Sequence, residues 1–311
     1  MKVYNPKPLA AVAEKMLKDA GVEIVGSSGP SKEDLLRDVA DVDAIVVWLS
    51  PNKIDKEVID TAKNLKLISR FGVGMEIVDV PYAQSKGIMV CNTPTSNANA
   101  VAEHAMYLIM ACARNSRIVD KKIHSGEFNS IKKISAVELE NSTLGIIGLG
   151  NIGKKVAKKA KGFDMNVIAW DPFVKEADGI EMIEKLDELL ERSDFVTLHT
   201  PETKQTIGMI GAEELRKMKN SAFLINAARG AIVQQDALVA ALRAGEIAGA
   251  GLDVYASEPL AADEPLLTFD NVICTPHYAG FTNGAIVKTG VDVAESILAV
   301  MNGGTPKYLL K

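Results

Sequence analysis

Short apolar runs alternate with amphipathic stretches along almost the whole chain, a pattern typical of parallel β-strands joined by helices. In the first third, five such runs predict strands, at residues 2–4, 23–25, 44–47, 67–69 and 89–91. Helical spacing lies between them. Residues 31–40, for example, begin with a Ser31 cap and carry Asp34 at the third helical position. The first third therefore predicts a small doubly wound domain.

The pattern changes after Asn92-Thr93-Pro94. Residues 96–115 predict a long helix with an apolar stripe, and the polar residues 114–140 predict a surface connection. A second strand–helix series follows, with predicted strands at 143–147, 167–171, 195–199, 222–226, 249–253 and 271–275, and a final helix at 285–301. We therefore expect an α/β protein with two doubly wound parallel-sheet domains.

Composition narrows the class of protein. Hydrophobic residues make up 47% and charged residues 24% of the 311 residues, as in an average globular protein. The net charge of −5 gives no bulk attraction to nucleic acid or to an anionic membrane. No stretch offers the roughly 18 apolar residues of a spanning helix, and the first residues lack the apolar core of a signal peptide. Three isolated cysteines predict buried free thiols, so we expect a soluble cytoplasmic protein.

A dinucleotide-binding motif opens the second series. The predicted strand 143–147 runs into Gly148-Leu149-Gly150-Asn151-Ile152-Gly153 and then into a helix, which is G-x-G-x-x-G in its required context. Asp171 follows the next predicted strand. A carboxylate there can accept both ribose hydroxyls and repels a 2′-phosphate, which favours NAD over NADP. The alternative is a glycine-rich turn and an aspartate that only caps a loop.

Several separated strings resemble one family, the D-2-hydroxyacid dehydrogenases, which include D-lactate, glyoxylate/hydroxypyruvate and D-3-phosphoglycerate dehydrogenases. They are F-G-V-G at 71–74, N-T-P at 92–94, A-V-A-E-H at 100–104, N-A-A-R-G at 226–230, G-L-D-V-Y-A-S-E-P-L at 251–260 and T-P-H-Y-A-G at 275–280. The resemblance implies a flavodoxin-like substrate domain, residues 1–96 plus 285–311, and a Rossmann NAD-binding domain, residues 97–284. It also implies a homodimer that uses the connection after the long helix.

Three residues match the family's catalytic groups. Reduction of a 2-oxo acid needs a proton donor and a cation for the carboxylate. His277 resembles the proton donor, Glu258 the acid that orients its ring and stabilises imidazolium, and Arg229 the fork that binds the carboxylate and carbonyl. All three follow predicted strands, at the edge where open parallel sheets bind ligands. Each also has a simpler interpretation, as a surface turn residue, a solvated acid or an arginine paired with any carboxylate.

The resemblance also implies cofactor and substrate contacts. Besides the glycine motif and Asp171, the cofactor contacts correspond to Asn151, Ile152, Thr200, Pro201, Thr206, Ala227, Asp253 and Gly280. Val73 and Gly74 resemble a turn whose N–H groups hold the substrate carboxylate, and Arg70 is a further candidate for substrate binding. No two histidines have metal-ligand spacing, so no metal is expected. His104 is expected to be a buried structural residue, and His199 to line the cofactor cavity.

The sequence after the third strand favours an unphosphorylated substrate. Phosphoglycerate dehydrogenases usually supply an arginine after the third strand, whereas this chain has Trp48-Leu49 there. We therefore expect NADH and a small unphosphorylated 2-oxo acid, with D-3-phosphoglycerate dehydrogenase proper as the alternative. The family's regulatory domains are not expected after residue 311. A formate dehydrogenase would have Gln in place of Glu258. A dinucleotide-sensing protein, such as a corepressor of this fold, could keep all three catalytic matches.

Overall fold

A computed structural model describes residues 1–310, with the side chains of 1–130 and 134–310. The chain divides into two compact units, Met1–Asn97 with Phe281–Lys311, and Ala98–Gly280. Each unit is built around one parallel sheet that has a buried apolar cluster on either face. The expected two-domain α/β architecture is therefore confirmed.

The first unit begins with five strands joined by four helices. In chain order they are β1 (Lys2–Tyr4), α1 (Ala11–Asp19), β2 (Glu23–Val25), α2 (Lys32–Val39), β3 (Ala44–Val47), α3 (Lys56–Thr61), β4 (Leu67–Arg70), α4 (Val80–Ser85) and β5 (Met89–Cys91). The strand order is β2-β1-β3-β4-β5, all parallel, which is the flavodoxin-like arrangement. All five predicted strands are present, and Ser31 caps α2 in a capping box with Asp34, as expected.

The second unit carries seven strands. In chain order its elements are α5 (Ala98–Ala113), α6 (Ser116–His124), β6 (Thr143–Ile147), α7 (Asn151–Lys161), β7 (Asn166–Trp170), β8 (Glu181–Met182), α8 (Leu186–Arg192), β9 (Phe195–Leu198), α9 (Ala212–Lys217), β10 (Phe223–Asn226), α10 (Gln235–Ala244), β11 (Gly249–Leu252) and β12 (Val272–Cys274). Short 3₁₀ helices lie at Phe128–Lys133, Gly230–Ile232 and Pro265–Thr268. The strands are all parallel, in the order β12-β11-β10-β9-β6-β7-β8.

Two elements of the second unit were not expected. The connection 114–140 contains α6, none of whose residues is buried, so the prediction of a surface segment holds for α6 while the helix itself was missed. Leu139, near the end of the connection, is buried. Strand β8 has two residues, which is too short to leave an apolar run in the sequence. The other six strands agree with the predicted runs to within a residue or so at each end.

The last helix, α11 (Asn283–Met301), belongs to the first unit. Thr282 caps it through a hydrogen bond from the N–H of Ala285 to Oγ1, 3.2 Å. The first unit resumes at Phe281 and includes all of α11. Val293 and Ile297 of α11 are fully buried in the apolar cluster that α1 also covers. None of the helices described is long and apolar enough to cross a membrane.

Candidate active site

The three candidate catalytic residues follow three adjacent strands of the seven-stranded sheet. Arg229 comes after β10, Glu258 after β11 and His277 after β12, and these strands are direct neighbours. The carboxyl ends of parallel strands meet at one edge of a sheet. The second unit therefore brings the three loops to the same edge, as the sequence predicted.

His277 is held in a backbone conformation that non-glycine residues adopt rarely. Its φ is +54°, in the left-handed region. The N–H of His277 donates to the carbonyls of Asp253, 2.8 Å, and Thr275, 3.1 Å, which fixes the turn. Strain of this kind persists where the surrounding structure enforces it, and it is common at functional sites. The turn sets the direction of the imidazole ring.

Glu258 lies against the ring of His277. The Glu258 Oε2 and His277 Nδ1 atoms are 2.7 Å apart, and the N–H of Tyr255 donates to Oε1, 3.1 Å. Burial by itself would raise the pKa of Glu258, but the hydrogen bond and the charge of His277 lower it below its ordinary value. The carboxylate is therefore ionised at neutral pH and can only accept, so Nδ1 carries the proton. Within the described residues, Nε2 of His277 has no hydrogen-bond partner.

A buried hydrogen-bond network supports the loop of His277, and its contacts were not predicted from the sequence. The Asp253 carboxylate is fully buried and accepts from the N–H groups of Tyr278, 2.8 Å, and Ala279, 2.9 Å, and from the hydroxyl of Thr275, 2.5 Å. His104 Nε2 lies 2.9 Å from that same hydroxyl. Burial opposes the ionised form of Asp253, but these hydrogen bonds keep its pKa below the ordinary value. Asp253 is a brace for the His277 loop, and its expected cofactor contact stays a prediction.

Arg229 follows a turn that its own strand organises. The Asn226 side chain closes this turn, since its Nδ2 donates to the carbonyl of Arg229, 2.9 Å, and its Oδ1 accepts from the N–H of Ala228, 3.0 Å. Arg229 is half-buried, and its Nη1 donates to the carbonyl of Ala228, 2.7 Å. A Cβ on Gly230 would overlap the carbonyl of Tyr255, so the Arg229 loop lies directly against the loop that leads to Glu258.

The glycine motif has the geometry that a dinucleotide needs. Gly148 has a φ of +95°, and a Cβ there would lie 2.8 Å from the backbone of His199. A Cβ on Gly153 would overlap the carbonyl of Gly148, whereas a Cβ on Gly150 would meet nothing within 4 Å. The motif therefore packs tightly on the side of the sheet and leaves open space at the N-terminus of α7, where a pyrophosphate binds. Asn151 and Ile152 form the first residues of that helix.

Asp171 lies in the loop after β7 and also organises this turn. Its Oδ2 accepts from the N–H of Leu149, 2.8 Å, and its Oδ1 accepts from the N–H groups of Phe173, 2.8 Å, and Val174, 3.1 Å. Asp171 therefore does cap the loop after β7, as the alternative interpretation of this residue predicted. A carboxylate has about four acceptor sites, so with three N–H donors about one site remains for a ribose hydroxyl.

Two buried polar atoms beside the motif have no partner within residues 1–310. They are Thr200 Oγ1 and His199 Nδ1. Burial lowers the pKa of His199 to about 3, and its Nε2 lies 3.0 Å from the Thr197 hydroxyl, so the ring is neutral. Buried polar groups without partners are rare in folded proteins. Their place next to Gly148 fits the polar groups of a dinucleotide.

The remaining cofactor candidates differ in what they offer. The Thr206 hydroxyl donates to the carbonyl of Pro201, 2.6 Å, and closes the loop after β9. Ala227 packs with Val101 and Ala279 in a small apolar cluster. Gly280 is the last residue of the second unit. None of these observations assigns a cofactor contact, so those contacts stay predictions.

The candidate substrate turn lies in the first unit. Val73 and Gly74 follow β4 at the carboxyl edge of the five-stranded sheet. Arg70 is the last residue of β4 and is buried, with 8% of its surface exposed. Its guanidinium donates to three backbone carbonyls, those of Val47, Phe71 and Gly74. Among the residues described, no group of three His, Cys, Asp or Glu side chains could hold a metal ion.

Comparison with known proteins identifies the second unit. Residues 106–279 match the family model described as D-isomer specific 2-hydroxyacid dehydrogenase, NAD binding domain. A D-3-phosphoglycerate dehydrogenase from Archaeoglobus fulgidus is 43% identical over 307 residues, covering 97% of this chain and 58% of the relative. A glyoxylate reductase from Thermofilum pendens is 40% identical over 321 residues, covering 99% of this chain and 94% of the relative.

A solved structure has the same fold over the whole chain. The TT0316 protein from Thermus thermophilus has a TM-score of 0.89 at 34% identity, with both chains covered in full. This chain spans 58% of the length of the first two curated relatives it matches, both D-3-phosphoglycerate dehydrogenases.

Proposed function

Because the chain belongs to the D-isomer specific 2-hydroxyacid dehydrogenase family, we propose that it is an NAD-dependent oxidoreductase acting on the CH–OH group of a small 2-hydroxy acid. The reaction is a reversible hydride transfer between NADH and the corresponding 2-oxo acid. The observation that carries this proposal is the 2.7 Å contact of Glu258 with His277 Nδ1, which leaves Nε2 for the substrate oxygen.

The chain's own residues supply the proton and the charges. Bound NAD supplies the hydride donor or acceptor. In the direction of reduction, Nε2 of His277 gives its proton to the oxygen that develops negative charge, and in oxidation it takes that proton back. Glu258 stabilises the imidazolium through Nδ1. Arg229 binds the oxo group and carboxylate as a planar fork, and the N–H groups of Val73 and Gly74 bind the carboxylate.

The groups that would bind NAD lie along the carboxyl edge of the seven-stranded sheet. The glycine motif after β6 and Asp171 after β7 would take the pyrophosphate and the adenosine ribose. Thr200, after β9, offers a buried hydroxyl that lacks a partner within the described chain. The further contacts that we propose are Asn151, Ile152, Pro201, Thr206, Ala227, Asp253 and Gly280. Strand order reverses between β6 and β9, which is where doubly wound sheets bind dinucleotides.

Asp171 is expected to make NADH the better cofactor. A 2′-phosphate beside this carboxylate costs more than about 1.4 kcal/mol, so kcat/KM for NADH should exceed that for NADPH by at least about tenfold. Asp171→Asn keeps the size of the side chain and should narrow the preference, whereas the exposed Asp178→Asn should leave it unchanged. Equal efficiency of wild type with both cofactors would contradict the assignment.

The Glu258–His277 pair is expected to set the pH dependence of reduction. Because the pKa of Glu258 is lowered, its carboxylate stays ionised across the neutral range and stabilises the protonated ring. Glu258→Gln removes that charge while keeping the shape. The limb on which reduction falls with rising pH should therefore move to lower pH, and a profile of kcat/KM against pH measures it. A profile that does not move would show that the pair has no catalytic role.

A panel of 2-oxo acids with NADH tests the activity. We expect an ordinary kcat, on the order of 1 to 1,000 per second, on at least one acid. Unphosphorylated acids such as glyoxylate, hydroxypyruvate or a short aliphatic or aromatic analogue should exceed 3-phosphohydroxypyruvate in kcat/KM. The first unit supports this preference for unphosphorylated acids, because the position after β3, where phosphoglycerate dehydrogenases usually have an arginine, holds Trp48. Its ring is stacked on Phe71 at 3.8 Å, and its N–H donates to Asn5.

The outcomes of the panel separate the alternatives. NADH binding without turnover of any acid would favour a dinucleotide-sensing binding protein. Preference for 3-phosphohydroxypyruvate would favour D-3-phosphoglycerate dehydrogenase activity. Two relatives carry that name, and this chain spans 58% of the length of each. The glyoxylate reductase from Thermofilum pendens is spanned over 94% of its length, which supports glyoxylate as a candidate substrate.

We further propose a homodimer that forms in the cytoplasm and binds neither nucleic acid nor membrane. Large apolar side chains are exposed on α5, α6 and the following segment: Tyr107, Met110, Ile123 and Phe128. An interface of the proposed dimer on these elements would bury their exposed apolar side chains. The three cysteines are all free thiols, which suits a reducing compartment. The net charge of −5 offers nothing to polyanions.

A further inference from the structure

Four consecutive carbonyls after β4 are fixed by hydrogen bonds. Arg70 donates to the first and the fourth, those of Phe71, 2.7 Å, and Gly74, 2.9 Å. The backbone N–H of Thr93 donates to the second, that of Gly72, at 2.9 Å. The Asn92 side chain donates to the third, that of Val73, at 2.8 Å. All four carbonyls of residues 71–74 therefore accept hydrogen bonds from Arg70, Asn92 or Thr93.

Two N–H groups of the same turn, unlike its carbonyls, have no hydrogen-bond partner within the described residues. Within the described residues, the backbone N–H groups of Val73 and Gly74 donate to no acceptor. Gly72 has a φ of +134°, so the chain reverses there in a conformation that favours glycine. Successive N–H groups left over in such a turn form a nest for an anion. The nest exists because the carbonyls are held away from it.

Arg70 is the centre of this arrangement. Besides the two carbonyls of the turn, its Nη1 donates to the carbonyl of Val47 at the end of β3, 2.9 Å. A Cβ on Gly72 would lie 3.6 Å from the guanidinium carbon, so the group packs directly beneath the reversal. Three charge-assisted hydrogen bonds and burial tie the nest to two strands of the sheet.

We propose that Arg70 is a positioning residue that shapes the carboxylate nest at Val73 and Gly74. It does not bind a substrate phosphate. This inference rests on the proposed function, since it assigns the nest to the carboxylate of a 2-oxo acid. That carboxylate is common to every 2-oxo acid, so Arg70 acts alike on phosphorylated and unphosphorylated substrates. It is not a determinant of choice between them.

The kinetic signature of this role differs from that of a proton donor. The nest binds a carboxylate that is unchanged between ground state and transition state, so its loss raises KM more than it lowers kcat. Misplacing a binding group by about 1 Å costs about 10²-fold. Arg70→Ala should therefore raise KM by about 10- to 100-fold. The factor should be similar for every acid. Arg70→Lys, which keeps the charge but lacks the planar fork of donors, should give a KM between those of wild type and Arg70→Ala.

Two measurements on the full chain test the inference. The first compares KM, kcat and the dissociation constant of NADH for Arg70→Ala, Arg70→Lys and the control Arg37→Ala, an exposed arginine of the same unit. Glyoxylate, hydroxypyruvate and 3-phosphohydroxypyruvate are the substrates. We expect Arg70→Ala to raise KM by the same factor for all three acids and to leave the dissociation constant of NADH unchanged. A loss confined to 3-phosphohydroxypyruvate, or no change in KM, would overturn the inference.

The second measurement does not depend on activity. The N–H of Phe71 donates to the carbonyl of Val47, that of Gly72 to the carbonyl of Arg70, and that of Thr93 to the carbonyl of Gly72. Amide hydrogen exchange at Phe71, Gly72 and Thr93 should accelerate in Arg70→Ala and not in Arg37→Ala. Unchanged exchange would overturn the positioning role. Faster exchange together with an inactive wild type would instead reject the proposed function and leave the role of Arg70 in the turn standing.

Discussion

His277→Gln is expected to lower kcat for 2-oxo acid reduction by about 10²- to 10⁴-fold, the usual contribution of a positioned general acid. Glutamine preserves a hydrogen-bonding group next to Glu258 but has no proton to transfer at neutral pH. The loss should appear in kcat, because the proton moves only in the transition state. Single-turnover oxidation of bound NADH measures the step directly.

NADH binding is the internal check on this variant. The glycine motif and Asp171 lie after β6 and β7, apart from the loop that carries His277, so the dissociation constant of NADH should be unchanged. The exposed His124 on α6 provides a matched control, and His124→Gln should retain full activity. If His277→Gln kept wild-type kcat, the 2.7 Å pair with Glu258 would be structural.

Most strands of the two sheets could be predicted from the sequence because they are buried on both faces. Strand β3, for example, is entirely buried and therefore appears as a continuous apolar run. Helix α6 could not be found in this way, since it buries no residue. Strand β8, with two residues, is fixed by pairing with β7 and not by its own composition.

The position of the candidate site was also predictable, for a topological reason. Arg229, Glu258 and His277 each follow a recognisable strand, and parallel strands align their carboxyl ends. Their supporting contacts were not predictable. His104 reaches Thr275, 171 residues along the chain, and Asp253 turns inward to brace the His277 loop. Such partners depend on side-chain packing, which one sequence does not record.

The side-chain contacts of Arg70 were likewise not predictable from the sequence. From the sequence it is the cation nearest to the substrate turn, and an interpretation as an anion ligand is natural. The structure directs its Nε and Nη1 to carbonyls of Val47, Phe71 and Gly74. Residue type indicated charge at the correct place, but the rotamer decides whether that charge binds substrate or backbone.

Arg229→Lys is expected to lower kcat/KM by about 10²-fold, because a lysine supplies one point charge in place of a bidentate fork. Each hydrogen bond between charged groups contributes about 1.5–3 kcal/mol, and about 1.4 kcal/mol corresponds to a factor of ten. Loss of the fork therefore accounts for a drop of this size even with the charge retained. Steady-state kinetics at saturating NADH measures it.

A structural role for Arg229 can be separated from the proposed one. The turn before it is already closed by Asn226, which bonds the carbonyl of Arg229 and the N–H of Ala228. Arg229→Lys keeps that backbone, so the melting temperature should not change. Arg243→Lys, at an exposed position of α10, should retain full activity. Nearly full activity in Arg229→Lys would reassign the guanidinium to its 2.7 Å bond with the Ala228 carbonyl, and the substrate carboxylate would then depend on the nest at Val73 and Gly74.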